Sequence, residues 1–262
     1  MKRILVCLKQ AVDVSQLKID PATRQLITAG APKKMSDFDK NALEEAIRIK
    51  EKTPGAEVFT LTVSPEEAKP VLREGLAIGA DKAYCVVDIA LQSADTYGTA
   101  YILAEMAKKI GEFDLILCGD SSLDSFSGLV GSRTAELLNL PQVTSVRKIA
   151  VEGDTVTAER SLEDAVETVK AKMPALLSVT REINQPRIPS LMNIMKASKK
   201  EIVPWSLSDL NISNEKINPK IEVLEALAPK MDRKRVKITG ETVQETAEKL
   251  AKALVQEGVV GR

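Results

Sequence analysis

LILCGDSSLDSFSGLVGSRTAELL, residues 115–138, carries the three signals on which the fold turns. Leu115–Cys118 is a wholly apolar run, suited by length to a strand buried on both faces. Gly119–Gly131 is crowded with glycine and serine, which favour turns and caps over regular structure. Leu129–Leu138 then reads as a helix. The same alternation runs back to the first residues. Apolar runs at Ile4–Leu8, Val58–Val63 and Ala83–Val87 are separated by amphipathic stretches. In NALEEAIRIKEK, Ala42, Leu43, Ala46, Ile47 and Ile49 share a face. PEEAKPVLREGLAIG puts Glu66 and Glu67 in a first turn, with Pro70 near enough to the start to be tolerated. DTYGTAYILAEMAKKI opens on Asp95 as a cap and closes on Lys108 and Lys109, which complement the helix dipole. Strands and helices at this spacing predict an α/β fold: a doubly wound, mostly parallel sheet covered on both faces.

Beyond Pro141 the pattern changes. Val143–Val151 and Thr155–Glu159 flank Glu152-Gly153-Asp154, a hairpin turn, and Glu167–Lys172 alternates with period two. Leu176–Thr180 reads as a last buried strand, so antiparallel strands should extend the parallel sheet. Asn184, Pro186, Arg187 and Pro189 belong to an ordered irregular loop. Residues 205–237 show little periodicity, with Pro204, Pro219 and Pro229 as punctuation, and predict an arm over a surface. Glu241–Val255 is a final amphipathic helix with Val243, Ala247, Leu250, Ala251 and Leu254 on one face.

Composition narrows the chemistry. Lysine plus arginine, 37, balances aspartate plus glutamate, 37, which argues against nucleic acid as a bulk partner. The lysines at 199–200 and the run Asp232–Arg235 read as solvated faces. No apolar run approaches the roughly 20 residues that span a bilayer, and Lys9 interrupts the opening run too early for a secretion signal. A cytoplasmic protein is expected. Cys7, Cys85 and Cys118 sit singly in or beside apolar runs and read as small core residues; no metal site is expected. There is no histidine, so imidazole bases and Ser–His or Cys–His pairs are excluded. That favours a cofactor holder over a hydrolase, and no catalytic residue is expected.

Ligands of doubly wound sheets lie beyond the carboxyl ends of the strands, where strand order reverses. Three segments reach that edge: Cys7, Leu8 and Lys9; then Met35, Ser36, Asp37, Phe38 and Asp39; and Gly119–Gly131. The last can cradle a phosphate with N–H groups at a helix start and the hydroxyls of Ser125 and Ser127. It is neither a Walker nor a dinucleotide glycine motif, and its composition equally suits an ordinary capped loop. Asp120 and Asp124 suit ribose hydroxyls, adenine nitrogens or caps better than phosphate.

Several ordered blocks resemble the beta subunits of electron-transfer flavoproteins. They are VCLKQAVD (6–13), FDKNALEEAIRIKE (38–51), GLAIGAD (75–81), and a signature through Arg160, Glu163, Asp164, Glu167, Val169, Pro174, Leu176, Leu177 and Ser178. Asn184, Pro186, Arg187 and the stretch from Leu191 to Lys200 continue it. The resemblance implies an electron carrier rather than a classical enzyme, in a heterodimer with an alpha subunit that holds most of a redox-active FAD. The beta subunit would bind a second nucleotide, AMP in the ordinary type or FAD in the electron-bifurcating type that meets NADH. By position the nucleotide would touch Cys7, Leu8, Ser36, Asp37, Phe38, Asp39 and Val63. It would also touch Gly119, Asp120, Ser121, Ser122, Leu123, Asp124, Ser125, Phe126, Ser127, Gly128, Leu129 and Val130.

Leu191 resembles the anchor of a loop that docks acyl-CoA dehydrogenases, with Asn193, Ile194 and Met195 seating that loop on the body. Iron–sulfur or quinone-linked acceptors are further implied partners. The resemblance divides the chain into a nucleotide-binding domain over 1–200, including the docking loop at 184–200, and an arm and helix over 201–262 that pack on the alpha subunit. There are departures. Ala165 replaces a usual glycine or acid; Asp124 is followed by Ser125-Phe126-Ser127 rather than further aspartates; and Leu129 stands where glutamine is usual, although Val130-Gly131 resembles the bifurcating type. The second nucleotide is left open between AMP and FAD. An adenylating enzyme would need a glycine-rich loop after the first strand, where this chain has LKQAVDVSQ. A nucleotide sensor without redox function is the other alternative.

Overall fold

The computed structural model describes residues 1–230 and 234–260; Asp232 and Arg233 of the charged run lie outside the described residues. The first strand, β1 (Arg3–Cys7), leads into two small antiparallel ribbons, β2 (Gln10–Val12) with β5 (Lys33–Met35) and, between them, β3 (Lys18–Ile19) with β4 (Leu26–Ile27). Helix α1 (Asp37–Lys52), β6 (Glu57–Ser64), α2 (Lys69–Ile78), β7 (Lys82–Val87), α3 (Thr96–Ile110), β8 (Leu115–Gly119) and α4 (Val130–Leu138) follow. Then come β9 (Gln142–Glu152), β10 (Thr155–Ser161), β11 (Val166–Lys172), β12 (Ala175–Val179), α5 (Leu191–Lys199), β13 (Ile202–Trp205), the short α6 (Asn214–Ile217) and α7 (Val243–Gln256).

Nine strands form one sheet in the order β11-β10-β9-β12-β8-β1-β6-β7-β13. From β9 to β13 every pair is parallel, while β9, β10 and β11 form an antiparallel meander. The expected fold class is therefore the observed one. Alternation along each strand splits the core in two. Ile4, Val6, Leu115, Leu117 and Leu177 face α1 and α2. Leu5, Phe59, Leu61, Ile116 and Leu176 face α3 and α4. Each such fully buried side chain contributes roughly 1.5–3 kcal/mol.

Helix ends follow local chemistry. The Asp95 carboxylate caps α3 by accepting from the N–H groups of Tyr97 at 2.8 Å and Gly98 at 2.9 Å. Asn139 ends α4 in the left-handed region at φ 54°. Helix α2 begins later than the charge pattern implies. Pro70 lies in its first turn, where the missing N–H costs nothing, and Glu66 and Glu67 precede the helix. There Glu66 pairs with Lys33 and accepts from Gln10.

Beyond residue 200 the chain does more than wrap. Ile202–Trp205 joins the sheet edge beside β7, where Pro204 is tolerated and Trp205 packs on Tyr84 with ring centroids 5.1 Å apart. Helix α7 forms with no buried residue, and its Val243, Leu250 and Val255 are exposed. Among the described residues no helix is long and apolar enough to cross a membrane.

Candidate functional site

From β1 the chain moves to β6 and β7 on one side, then returns to β8 on the other. Strand order reverses between β1 and β8, and a cleft of about 770 Å³ opens beyond their carboxyl ends.

Asp39, in the first turn of α1, sits under this point. Its carboxylate accepts from the Lys9 N–H at 2.8 Å and the Gly119 N–H at 2.9 Å, clipping the end of β1 to the end of β8. Burial raises the Asp39 carboxyl to about 7, opposed by those two N–H donors and the nearby Lys9 ammonium. The approach is close enough to require glycine. A Cβ at Gly119 would lie 2.5 Å from Asp39 Oδ1 and 2.6 Å from Phe38 Cβ.

The wall opposite comes from the loop after β8. Phe126 and Gly128 take positive φ, 47° and 63°, and lead the chain into α4. No side chain caps α4, and Gly131 in its first turn lies so close to β8 that a Cβ there would be 2.7 Å from Cys118 Sγ. The open helix start borders the cleft through Leu129, Val130 and Gly131. Its dipole and unpaired N–H groups favour an anion. Ser121, also on the cleft wall, has a buried hydroxyl with no partner among the described residues, as has Ser36 at the start of α1.

The carboxylates of the loop are committed. Asp124 accepts from Lys9 Nζ at 2.6 Å, and the same ammonium donates to Ser122 at 3.1 Å and Ser125 at 3.2 Å. Burial opposes ionisation of Asp124, but hydrogen bonds from Lys9 and Ser122 and the lysine charge hold its carboxyl below the usual range. Asp120 Oδ1 accepts from Ser178 Oγ at 2.7 Å and from the Ser145 N–H at 2.9 Å. Both therefore tie the loop down, and the Asp124 charge is offset rather than left to repel a phosphate. Burial, aided by the Asp39 charge, pushes the Cys7 thiol up to about 12, and burial holds Cys118 well above its usual range. Neither thiol is available as a thiolate.

Of the positions singled out in the sequence, Cys7, Leu8, Asp39, Val63, Gly119, Asp120, Ser121, Ser122, Ser125, Ser127, Gly128, Leu129 and Val130 line one cleft. Ser36, Asp37, Phe38, Leu123, Asp124 and Phe126 do not line it. Phe38 and Phe126 instead pack edge to face, ring centroids 6.3 Å apart, with Phe126 largely exposed. Lys9 and Asp95 also border the cleft, as do Pro219, Ile221 and Val223 of the arm, fixed by the Lys220 N–H on Asp95 Oδ2 at 2.8 Å. The arm residues had no signal in sequence, because nothing periodic marks them.

The 184–200 segment lies away from the cleft. Leu191 opens α5 and is 75% exposed. Asn193, Ile194 and Met195 do not seat it on the body; all three are exposed, and Ala197 is the one buried residue of α5. The helical turn sends Ile194 and Met195 outward, with Leu191, because a single small residue faces the core.

The family model described as electron transfer flavoprotein domain matches residues 11–210. An electron transfer flavoprotein subunit beta from Thermoanaerobacterium thermosaccharolyticum is 41% identical over 254 residues, 94% of this chain and 97% of the relative. A caffeyl-CoA reductase-Etf complex subunit CarD from Acetobacterium woodii is 38% identical over 98% of this chain and all of its own length. A subunit beta from Clostridium acetobutylicum is 37% identical over 96% of each chain.

Proposed function

This chain belongs to the electron transfer flavoprotein family, as a beta subunit, and from that premise we propose that its cleft holds an adenine nucleotide, FAD or AMP, with a phosphate at the start of α4. The carrying observation is that uncapped helix start at the switch point, reached by backbone through Gly119 and Gly131. The residues fit the group. The partnerless Ser121 hydroxyl is a hydrogen-bond group awaiting a ligand, and Lys9 offsets Asp124. The volume lies within the range for ligand sites, roughly 300–1,000 Å³, and admits either nucleotide.

Flavin, when bound, supplies the electron-carrying chemistry. The chain supplies position. Asp39 holds the strand ends together, Lys9 fixes the loop, and the 219–223 segment borders the mouth of the cleft. The uncovered face of α7 suits an alpha subunit as its partner, with residues 1–200 and the edge strand β13 forming the nucleotide domain and the remainder of 201–262 an arm that reaches the cleft and packs on that subunit. The exposed Leu191 end of α5 suits docking of an acyl-CoA dehydrogenase or related CoA-ester oxidoreductase. A cytoplasmic electron carrier follows from this reading. An adenylating enzyme is disfavoured, since no glycine follows β1 before Gly30.

The test is purification with an alpha subunit, extraction of bound nucleotides, and quantification of FAD and AMP per heterodimer. One adenine nucleotide beyond the FAD held by the alpha subunit is expected. A complex that retains none beyond that FAD refutes the reading.

A further inference from the structure

We propose that Arg187, with Asn184, is a positioning residue that presets α5 for docking, so that its worth appears in partner affinity rather than in fold stability. The inference rests on the docking reading of Leu191.

Helix α5 is poorly held by burial. Ala197 is its one buried residue, while Leu191 is 75% exposed, Met192 63% and Met195 63%. A nine-residue helix with so little apolar anchorage is marginal by itself. Polar contacts hold it instead, at both ends. On the N-terminal side, Asn184 and Asn41 of α1 exchange amide bonds, Asn41 Nδ2 to Asn184 O at 2.8 Å and Asn184 Nδ2 to Asn41 O at 3.0 Å. Arg187 then spans two turns of the same helix. Its Nε donates to Glu44 at 2.8 Å, and its Nη1 to Glu51 at 2.5 Å. On the C-terminal side, Arg73 of α2 donates to the Ala197 carbonyl at 2.7 Å. The apolar side chains lie between these fastenings, exposed.

The partners of Glu44 show why the clamp serves position. Glu44 is nearly fully buried, its side chain 3% exposed, and it also accepts from Arg48 Nε at 2.7 Å. Loss of Arg187 therefore leaves the buried carboxylate paired within α1. What is lost is the side-chain part of the link from α1 to the docking segment, the two-carboxylate bridge that fixes its angle, while the Arg187 N–H on Glu44 at 3.1 Å and the Asn184 bonds still tether it. The guanidinium fork matters as much as the charge, since it reaches two carboxylates at once. A docking surface populated only part of the time weakens apparent affinity in proportion to the populated fraction.

The test uses the intact heterodimer, with an acyl-CoA dehydrogenase reduced by its own acyl-CoA as the electron donor. Four forms are compared: unaltered, Arg187→Gln, Arg187→Lys and Leu191→Ala. Arg187→Gln should raise the KM for the dehydrogenase about tenfold at unchanged kcat and nucleotide content, with partial rescue by Arg187→Lys. In a Leu191→Ala background the further effect of Arg187→Gln should vanish. Backbone amides of α5 should exchange hydrogen about tenfold faster in Arg187→Gln, while those of α1 keep their protection. Unchanged exchange in α5, or an unchanged KM in Arg187→Gln where Leu191→Ala raises it, overturns the positioning role. Faster exchange with KM unmoved in both Arg187→Gln and Leu191→Ala, or no saturable exchange with the dehydrogenase, overturns the docking reading and the inference with it.

Discussion

Gly131 is the position where the nucleotide reading and the packing of the sheet meet in one contact. Gly131→Ala would put a methyl carbon 2.7 Å from Cys118 Sγ, 3.6 Å from Ser178 Cβ and 3.7 Å from Leu176 Cδ2. The last two are ordinary contacts. The first is about 1 Å too short, and the buried thiol has little room to yield. Overpacking of this kind costs about 1–3 kcal/mol. Removing a glycine from a helix returns about 0.5–1 kcal/mol. The net loss, between about 0 and 2.5 kcal/mol, should lower Tm by about 2–4 °C for each kcal/mol in a chain of this size. The start of α4 must also move away from β8, so nucleotide content should fall. Cys118→Ala alone should cost about 1 kcal/mol for the lost buried sulfur. In the double variant the new methyl occupies the vacated space, and both Tm and nucleotide content should return near those of the unaltered chain. The assay is thermal unfolding by circular dichroism on all four chains, with extracted nucleotide quantified on each. A double variant whose Tm loss equals the sum of the two single losses would refute the contact.

Asp39 supplies a pH signature. Its carboxyl titrates at about 7 in the folded chain and near the ordinary aspartate value of roughly 3.9 unfolded. The folded state thus holds a proton that the unfolded state has released, and stability from this group is full below about 4 and lost as pH rises to about 7. The Tm of the unaltered chain should fall relative to Asp39→Asn between pH 4.5 and 7; a constant difference would count against this. A Cβ at Gly128 meets no clash, its nearest atom being the Asp120 carbonyl at 3.8 Å, so the cost of Gly128→Val starts from the φ of 63°, which a β-branched residue rarely adopts. Nucleotide content should drop several-fold with the fold intact, while Gly128→Asn should retain more, and equal retention by both would remove the backbone argument. Arg3 lies 4.8 Å from the ring centroids of both Phe59 and Phe113 and donates to the Glu112 carbonyl at 2.9 Å. Arg3→Met should cost about 1–2 kcal/mol, and an unchanged Tm would refute it.

The parts of the fold legible in sequence are those whose signal is local. Leu115–Cys118, its glycine–serine loop and α4 were readable because strand run, turn residues and helix follow each other directly. Three of the cleft's walls came the same way, through the rule for strand ends. The rest depends on pairings that no window reveals. Lys9 and Asp124 are 115 residues apart, and neither charge names its partner. Pro204 read as punctuation, yet at the sheet edge its missing N–H goes unused and β13 forms around it. The arm meets the cleft through Pro219, Ile221 and Val223 with no periodic mark. Ile194 and Met195 misled because apolar side chains were read as anchors, whereas in α5 they face outward.

The place of β12 in the sheet has a consequence for how the chain assembles. It is hydrogen-bonded to β8 on one side and β9 on the other, and no other strand joins those two. Without it the molecule has two separate layers, the meander β9-β10-β11 and the parallel layer β8-β1-β6-β7-β13. The meander consists of sequence neighbours and can form rapidly, whereas β1 must wait for residues 57–61 and 115–117 before either edge is paired. During synthesis Ala175–Val179 emerges after both strands it must join, β8 and β9, and it has to insert between them. Until then both edges are open to pairing with other chains. The one strand that bridges the two parts is thus the one whose pairing closes both edges at once.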